Sequence, residues 1–152
     1  MKKLIIILIL ITLGISAFVG SRTWAPLPQT QNTNTNTENP KSDLIRVETP
    51  QPGENISSPV VIKGTARGSW FFEASFPVVL ADWDGLIIAQ GTAKAKGDWM
   101  TADFVPFEAT LTFKTYAKNY SNKGTLILRK DNPSGLPKNN DSLEIPVFLI
   151  NQ

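Results

Sequence analysis

The residue types that most often carry out catalysis are scarce in this chain of 152 residues. It contains no cysteine and no histidine, which excludes thiol nucleophiles, imidazole bases, disulfides and zinc sites with sulfur or nitrogen ligands. Serine and threonine are plentiful, but neither a histidine nor a Ser-x-x-Lys motif is present to activate one of them in the folded part. We therefore expect no catalytic residue and no cofactor.

Carboxylates are the remaining side chains that could carry out catalysis. Glycoside cleavage needs two carboxyl groups at a set separation across a cleft. The candidates are Glu73, Asp82, Asp84, Asp98, Asp103 and Glu108. A small domain with many acids brings some of them close together by chance, and it has little room for a deep cleft. The sequence therefore predicts that the protein is not an enzyme.

The segment Asp82-Trp83-Asp84-Gly85 places two carboxylates in one loop, as a calcium site would. A calcium loop between two helices needs more ligands and a distal glutamate at a fixed spacing, and these are missing. An Asp-Gly pair after an apolar strand is by itself a strong hairpin signal. The segment is therefore predicted to be a turn, with no metal bound.

The formal net charge is +2, and residues 1–43 account for all of it. Residues 44–152 carry eleven basic and eleven acidic side chains. A domain that binds nucleic acid is expected to present a basic stripe. The balanced charge predicts no such stripe and no nucleic-acid partner.

The N-terminus has the pattern of an export signal. Two lysines after Met1 precede an apolar run from Leu4 to Val19, so residues 1–20 are predicted to be a membrane anchor or a signal peptide. We favour an uncleaved anchor, which makes the chain a single-pass cell-membrane protein with its C-terminal domain outside the cytoplasm. Cleavage after Ala17 or Ser21 would instead release a secreted protein.

Residues 21–43 have the composition of a linker. They contain three prolines and the tract from Asn32 to Asn39, in which asparagine and threonine alternate. Such a polar tract buries too little apolar surface to offset its ordering entropy, so we expect a disordered spacer.

Residues 44–150 show the pattern of short strands separated by Gly, Pro, Asn and Asp. The predicted fold class is all-β, an immunoglobulin-like antiparallel β-sandwich of about seven strands after the N-terminal helix and linker. Pro77 and Pro146 indicate edge strands or bulges, because proline donates no ladder hydrogen bond. The predicted strands cover Leu44–Val47, Val60–Gly64, Trp70–Leu80, a buried-looking Leu86–Ala89, Phe107–Phe113, Thr125–Leu128 and Leu143–Leu149.

The stretch from Trp70 to Leu80 has apolar residues at every second position. We expect its even-numbered side chains, Phe72 and Phe76 among them, to pack against Phe107 and other residues of the later strand. The opposite face, with Phe71 and Glu73, is then mixed and available for contacts.

Several motifs together resemble the immunoglobulin-like domain of bacterial spore germination. They span residues 44–150: Pro52-Gly-Glu-Asn-Ile56, Ser58-Pro-Val60, Gly64, Trp70-Phe-Phe-Glu-Ala-Ser-Phe-Pro-Val78, Asp84-Gly85, Trp99-Met100, Phe104-Val-Pro-Phe107, Asn132-Pro-Ser-Gly-Leu-Pro137 and Ile145-Pro-Val147. The resemblance implies a bacterial domain outside the cytoplasm with an immunoglobulin-like sandwich. It implies a general cell-envelope role and supplies no catalytic residues.

Two functions follow as expectations. The first is a non-catalytic interaction module that binds an envelope protein or a cell-wall polymer. Its contact surface would be formed by Phe71 and Glu73, or by loops around Trp83, Trp99 and residues 132–137. The second is a carbohydrate-binding domain. Its candidate aromatic residues near turns are Trp83, Trp99, Tyr116 and Tyr120.

Overall fold

The computed structural model describes residues 39–114 and 120–150, and these form an all-β domain. Its eight strands are β1 Ile45–Thr49, β2 Asn55–Ile56, β3 Val60–Arg67, β4 Ser75–Asp82, β5 Ile87–Ala95, β6 Phe104–Leu111, β7 Lys123–Arg129 and β8 Ser142–Leu149. Two short 3₁₀ turns, Gly68–Trp70 and Pro137–Asn139, are the helical pieces in these ranges.

The predicted anchor at residues 1–20 and the linker up to residue 38 lie outside the described residues. Within residues 39–114 and 120–150, no helix is both long and apolar enough to cross a membrane.

All eight strands belong to one curled sheet in the order β1-β3-β6-β5-β4-β7-β8-β2. The sequence predicted two separate sheets and about seven strands. Strands β1, β3 and β6 are instead joined to the other five strands through the β5–β6 pair. Only two residue pairs are in register there, Lys94 with Glu108 and Ala95 with Phe107. The additional strand, β2, has two residues and pairs in parallel with the end of β8.

The core is enclosed by this curled sheet. The Phe76 ring of β4 meets the Phe107 ring of β6 edge to face at 4.9 Å between centroids, although β5 separates the two strands in the sheet. The alternation in β6 is confirmed, because Phe107 and Leu111 point inward and are buried. Side chains of β3, β4, β6, β7 and β8 meet in the same apolar cluster.

The predicted continuous strand from Trp70 to Leu80 is wrong in its first half. The chain reverses at Glu73 and Ala74, whose φ angles of 48° and 59° lie in the left-handed region. Phe72 and Ser75 exchange two backbone hydrogen bonds of 3.0 Å across this turn. Positive φ at both central residues is the geometry of a type I′ turn. Glu-Ala is an unusual sequence for it, and the alternation runs through the turn without a break.

The turn exchanges the roles of two phenylalanines. Phe72 pairs with Ser75, and paired residues share one face of a sheet, so Phe72 lies on the outer side with a 40% exposed side chain. Phe71 then points inward, is 4% exposed, and packs on the Phe76 ring at 5.3 Å between centroids. The expectation of a buried Phe72 and an exposed Phe71 is therefore corrected: Phe71 belongs to the core.

Pro77 lies in β4, an interior strand between β5 and β7, so the expectation of an edge does not hold for it. Pairing between β4 and β7 begins only at Val78, so the position of Pro77 has no partner on that side. The register shift in β4 lies at Leu80 and Ala81, away from the proline. Pro146 agrees with the expectation of an edge. β8 pairs with β2 only at Phe148 and Leu149, so no strand pairs with β8 at Pro146 on that side.

Residues 39–43, which the sequence assigned to the linker, form turns against the domain. The Asn39 side-chain amide donates to the Ile45 carbonyl at 2.6 Å. The Lys41 ammonium pairs with the Asp141 carboxylate and donates to the Ser142 carbonyl at 2.7 Å. These contacts connect the start of β1 to the start of β8.

Candidate functional site

The four surface residues proposed from the sequence lie at different places. Glu73 is exposed in the turn before β4, whereas Trp83 is exposed in the turn after it. These positions are at opposite ends of an eight-residue strand. Trp99, in the loop between β5 and β6, is half-buried and packs against the core, and Phe71 is buried within it. The structure therefore does not bring these four side chains together.

Exposed apolar side chains gather instead at the turn between β4 and β5. We call this surface the hairpin-tip patch and define it as Trp83, Leu86, Ile87 and Tyr120. Trp83 is 46%, Leu86 63% and Tyr120 95% exposed. The rings of Trp83 and Tyr120 meet at 6.2 Å with an interplanar angle of 79°. Large apolar side chains clustered on a surface are typical of interaction sites.

The turn that carries the patch is held by internal hydrogen bonds. The Asp82 carboxylate accepts from the backbone N–H of Asp84 at 3.0 Å and from that of Leu86 at 2.9 Å. The backbone N–H of Asp82 donates to the Leu86 carbonyl, and Gly85 takes a φ of 82°. The segment thus forms the predicted turn. In the part of the chain that the structure describes, no group of three or more acidic residues is arranged to hold a metal ion.

An open cavity of about 330 Å³ adjoins the patch. Its walls come from the start of β5 and the residues just after β6, and they are Leu86, Ile87, Ile88, Thr112, Phe113 and Lys114. The sequence interpreted Leu86 and Ile87 as a buried strand, but both are exposed. Hydrophobicity alone gave no signal for this exposure, because a short apolar run does not show which of its residues extend beyond the sheet.

The candidate carboxylates are spread over several elements. Glu73 lies in the turn before β4, Asp82 is the last residue of β4, Asp84 lies in the turn after it, and Asp98 and Asp103 lie in the loop between β5 and β6. Glu108 lies in the middle of β6, within 4 Å of two lysines. Across residues 39–114 and 120–150, no charged side chain is buried.

The cations of the domain are unevenly distributed. Register places five of them on the outer face of β1, β3, β6 and the end of β5. We call this surface the basic face, and its cations are Arg46, Lys63, Arg67, Lys94 and Lys96. A balanced charge sum contains no information about position, so it gave no sign of this face. The expectation of no nucleic-acid partner stays a prediction.

The family comparison matches residues 44–135 to the immunoglobulin-like domain of bacterial spore germination. This range contains β1 to β7 and covers more than half of the chain. The chain belongs to this family. The match confirms the resemblance seen in the sequence motifs, and β8 follows the matched range and completes the sheet beside β7. Comparisons with curated proteins and with solved structures gave no match.

Proposed function

We propose that this member of the spore-germination immunoglobulin-like family is a non-catalytic interaction module that binds an envelope protein through its hairpin-tip patch. The observation that carries the proposal is the exposure of Trp83, Leu86 and Ile87 on one ordered turn. Burying such side chains against a partner contributes roughly 25 cal/mol per Å² of apolar surface. Aromatic residues are also enriched among the side chains that dominate binding energy.

The proposal includes a location. Residues 1–20 hold the domain at the cell membrane with its C-terminal part outside the cytoplasm, and residues 21–38 act as the spacer. The support is the pair of lysines before a long apolar run, together with the family to which the domain belongs. The intact mass of the protein isolated from cells is a direct test. A mature chain that begins at Phe18 or Arg22 would mean that the protein is secreted.

The absence of catalysis rests on composition and on the placement of the acids. The chain lacks histidine and cysteine. Its candidate carboxylates are exposed or half-buried, and most are separated on different turns. The test is incubation of the full chain with purified peptidoglycan, which should release no soluble fragments. Release that is lost in Glu108→Gln would contradict the proposal.

The interaction is tested by capture from detergent-solubilised envelope extracts, with the full chain as bait. Ile87→Thr should lose the partner, because it replaces an exposed apolar side chain of the patch with a smaller, polar one that is still β-branched. Val61→Thr is the matched control, since Val61 is also exposed on a strand but lies on β3. Equal recovery of the partner by both variants would refute the assignment of the patch.

A second function is favoured by the aromatic pair within the patch. The rings of Trp83 and Tyr120 are both exposed, and such rings can stack on sugars. A glycan array separates the two functions. If the ligand is a carbohydrate, Trp83→Ala should abolish binding and Ile87→Thr should retain it. Binding of no glycan by the wild-type chain would exclude this function.

A further inference from the structure

We propose that the basic face binds a linear polymer of phosphate groups that carries no bases, at a surface separate from the hairpin-tip patch. The face is assembled by strand register from residues far apart in the sequence. Arg46 lies across from Thr65, Arg67 across from Phe104, and Lys94 across from Glu108. Glu108 is the acidic residue inside the face, whereas Asp43, Glu48 and Asp103 adjoin its ends before β1, on β1 and before β6.

Contacts with one aromatic ring fix the positions of two arginine side chains at one end of this face. The guanidinium carbons of Arg46 and Arg67 each lie 4.2 Å from the centroid of the Phe104 ring. They are therefore no farther apart than twice that distance. Stacking on an aromatic ring restricts a guanidinium group while leaving its edges able to bind an anion.

Backbone carbonyls fix both guanidinium groups further. Arg46 donates from Nε to the Ser42 carbonyl at 2.6 Å. Arg67 donates from Nε to the Asp43 carbonyl at 3.1 Å and from Nη1 to the Ala102 carbonyl at 2.9 Å. A guanidinium group has five N–H donors, so each arginine keeps donors that make no hydrogen bond to the described residues. Their rotamers are already restricted, which lowers the entropic cost of binding an anion.

Three lysines extend the face toward β5. Lys63 and Lys96 share Glu108, at nitrogen–oxygen distances of 3.7 and 3.4 Å. Both distances exceed those of a good charge-assisted hydrogen bond, about 2.7–2.9 Å. A single carboxylate therefore leaves these ammonium groups with unused donors. Lys94, on the other side of Glu108, adds a third exposed cation.

The distribution of charge on the face favours a linear polymer of phosphate groups over a single small anion. Cations spread over β1, β3 and the end of β5 fit a chain of repeating charges better than one small anion. A membrane-docking surface inserts aromatic or aliphatic side chains. Among these cations the Phe104 ring is covered by arginines. The exposed apolar residues of the same outer face, Val61 and Phe72, are separated by β6 and β5 and form no continuous patch. Nucleic-acid binding without sequence preference uses free aromatic rings for stacking on bases. The Phe104 ring is already occupied by the two guanidinium groups, and the exposed Phe72 ring lies beyond Lys94, across Ser75 of β4.

The test measures binding of labelled inorganic polyphosphate by the full chain in nonionic detergent. Five cations predict that affinity falls about 100-fold between 50 and 200 mM salt, since each phosphate contact contributes a slope of about 0.7. Arg46→Gln and Lys63→Gln should each weaken binding about fivefold or more and lower the slope by about 0.7. Both are chosen because neither side chain joins two loops as Arg67 does.

The control variant is Arg129→Gln, which makes the same charge change on an exposed side chain of β7. It should bind polyphosphate like the wild type, and thermal melts should show that all three variants are folded. No binding by the wild-type chain, or equal weakening by Arg129→Gln, would overturn the proposal.

Competitors of equal charge decide whether the ligand is the proposed polymer. Poly-glutamate, oligothymidylate and mixed micelles that contain phosphatidylglycerol should each displace polyphosphate less effectively than unlabelled polyphosphate. Displacement that is equal or better would assign the face to an acidic protein, a nucleic acid or a membrane, respectively, and would refute the proposal. Equal displacement per phosphate by inorganic monophosphate would show that the face binds single anions, and this result would also refute the proposal of a polymer ligand.

Discussion

Truncation of the adjacent residues Phe71 and Phe72 should have very different effects on stability. Phe71 is 4% exposed, and its ring packs on Phe76, which in turn contacts Phe107. Phe71→Ala removes these contacts and leaves a cavity between strands, a change that typically costs about 3–5 kcal/mol. Phe72 is 40% exposed, so full burial of a phenylalanine, worth about 1.5–3 kcal/mol, applies to it only in part. We expect Phe72→Ala to cost about 1 kcal/mol.

Urea and thermal unfolding followed by circular dichroism measure this difference. For a domain of this size, about 1 kcal/mol corresponds to roughly 4 °C in Tm. Phe72→Ala should therefore lower Tm by about 4 °C and Phe71→Ala by about 12 °C or more. The total stability of a domain is about 5–15 kcal/mol, so a loss of this size leaves Phe71→Ala partly unfolded and without a clean transition if the wild type lies at the low end of that range. Phe71→Leu, which keeps most of the volume, should then remain folded and lose about 1–2 kcal/mol.

The opposite ranking would refute this reasoning. If Phe72→Ala were the more destabilising change, the strand would continue through Glu73 and Ala74 as the alternation suggests. The chain would then not reverse at these two residues. Equal losses would mean that both rings are buried.

Two further changes test the backbone. Gly64→Ala should cost about 3 kcal/mol in urea unfolding, because its Cβ would lie 2.1 Å from the Arg46 carbonyl oxygen, whereas Gly97→Ala, with nothing within 4 Å, should change stability by no more than about 0.5 kcal/mol. Replacing Glu73 by Asn together with Ala74 by Gly should raise stability by about 1–2 kcal/mol, since Asn-Gly adopts positive φ at far lower cost; a lower Tm in this double variant would show that the turn is not of type I′.

Local pattern was a sufficient guide where a strand is regular and lies at the boundary between core and solvent. In β6 the side chains of Phe107, Ala109 and Leu111 alternate inward in the structure as they do in the sequence. The turn at Asp82 was also predictable, because Asp-Gly favours it and the Asp82 carboxylate bonds the following amides. The family motifs were also recognisable from the sequence, because they lie in order along the chain.

Local pattern failed where a contact distant in the sequence decided the outcome. Phe72 continues the alternation, but the chain turns at Glu73 and Ala74, because pairing of β4 with β5 and β7 fixes where that strand begins. The joining of the two expected sheets at β5 and β6 rests on two residue pairs and leaves no local signal.

By itself the sequence determined that the protein is a β-rich domain without thiol or imidazole chemistry, because composition and period-two alternation are properties of the chain. Only the tertiary structure decided which surfaces the domain presents. Leu86 and Ile87 are exposed because they lie at the end of a hairpin. Arg46, Arg67 and Phe104 meet because register aligns β1, β3 and β6. A net charge is a sum over residues, whereas a binding surface depends on their positions, and those positions are set by strand pairing.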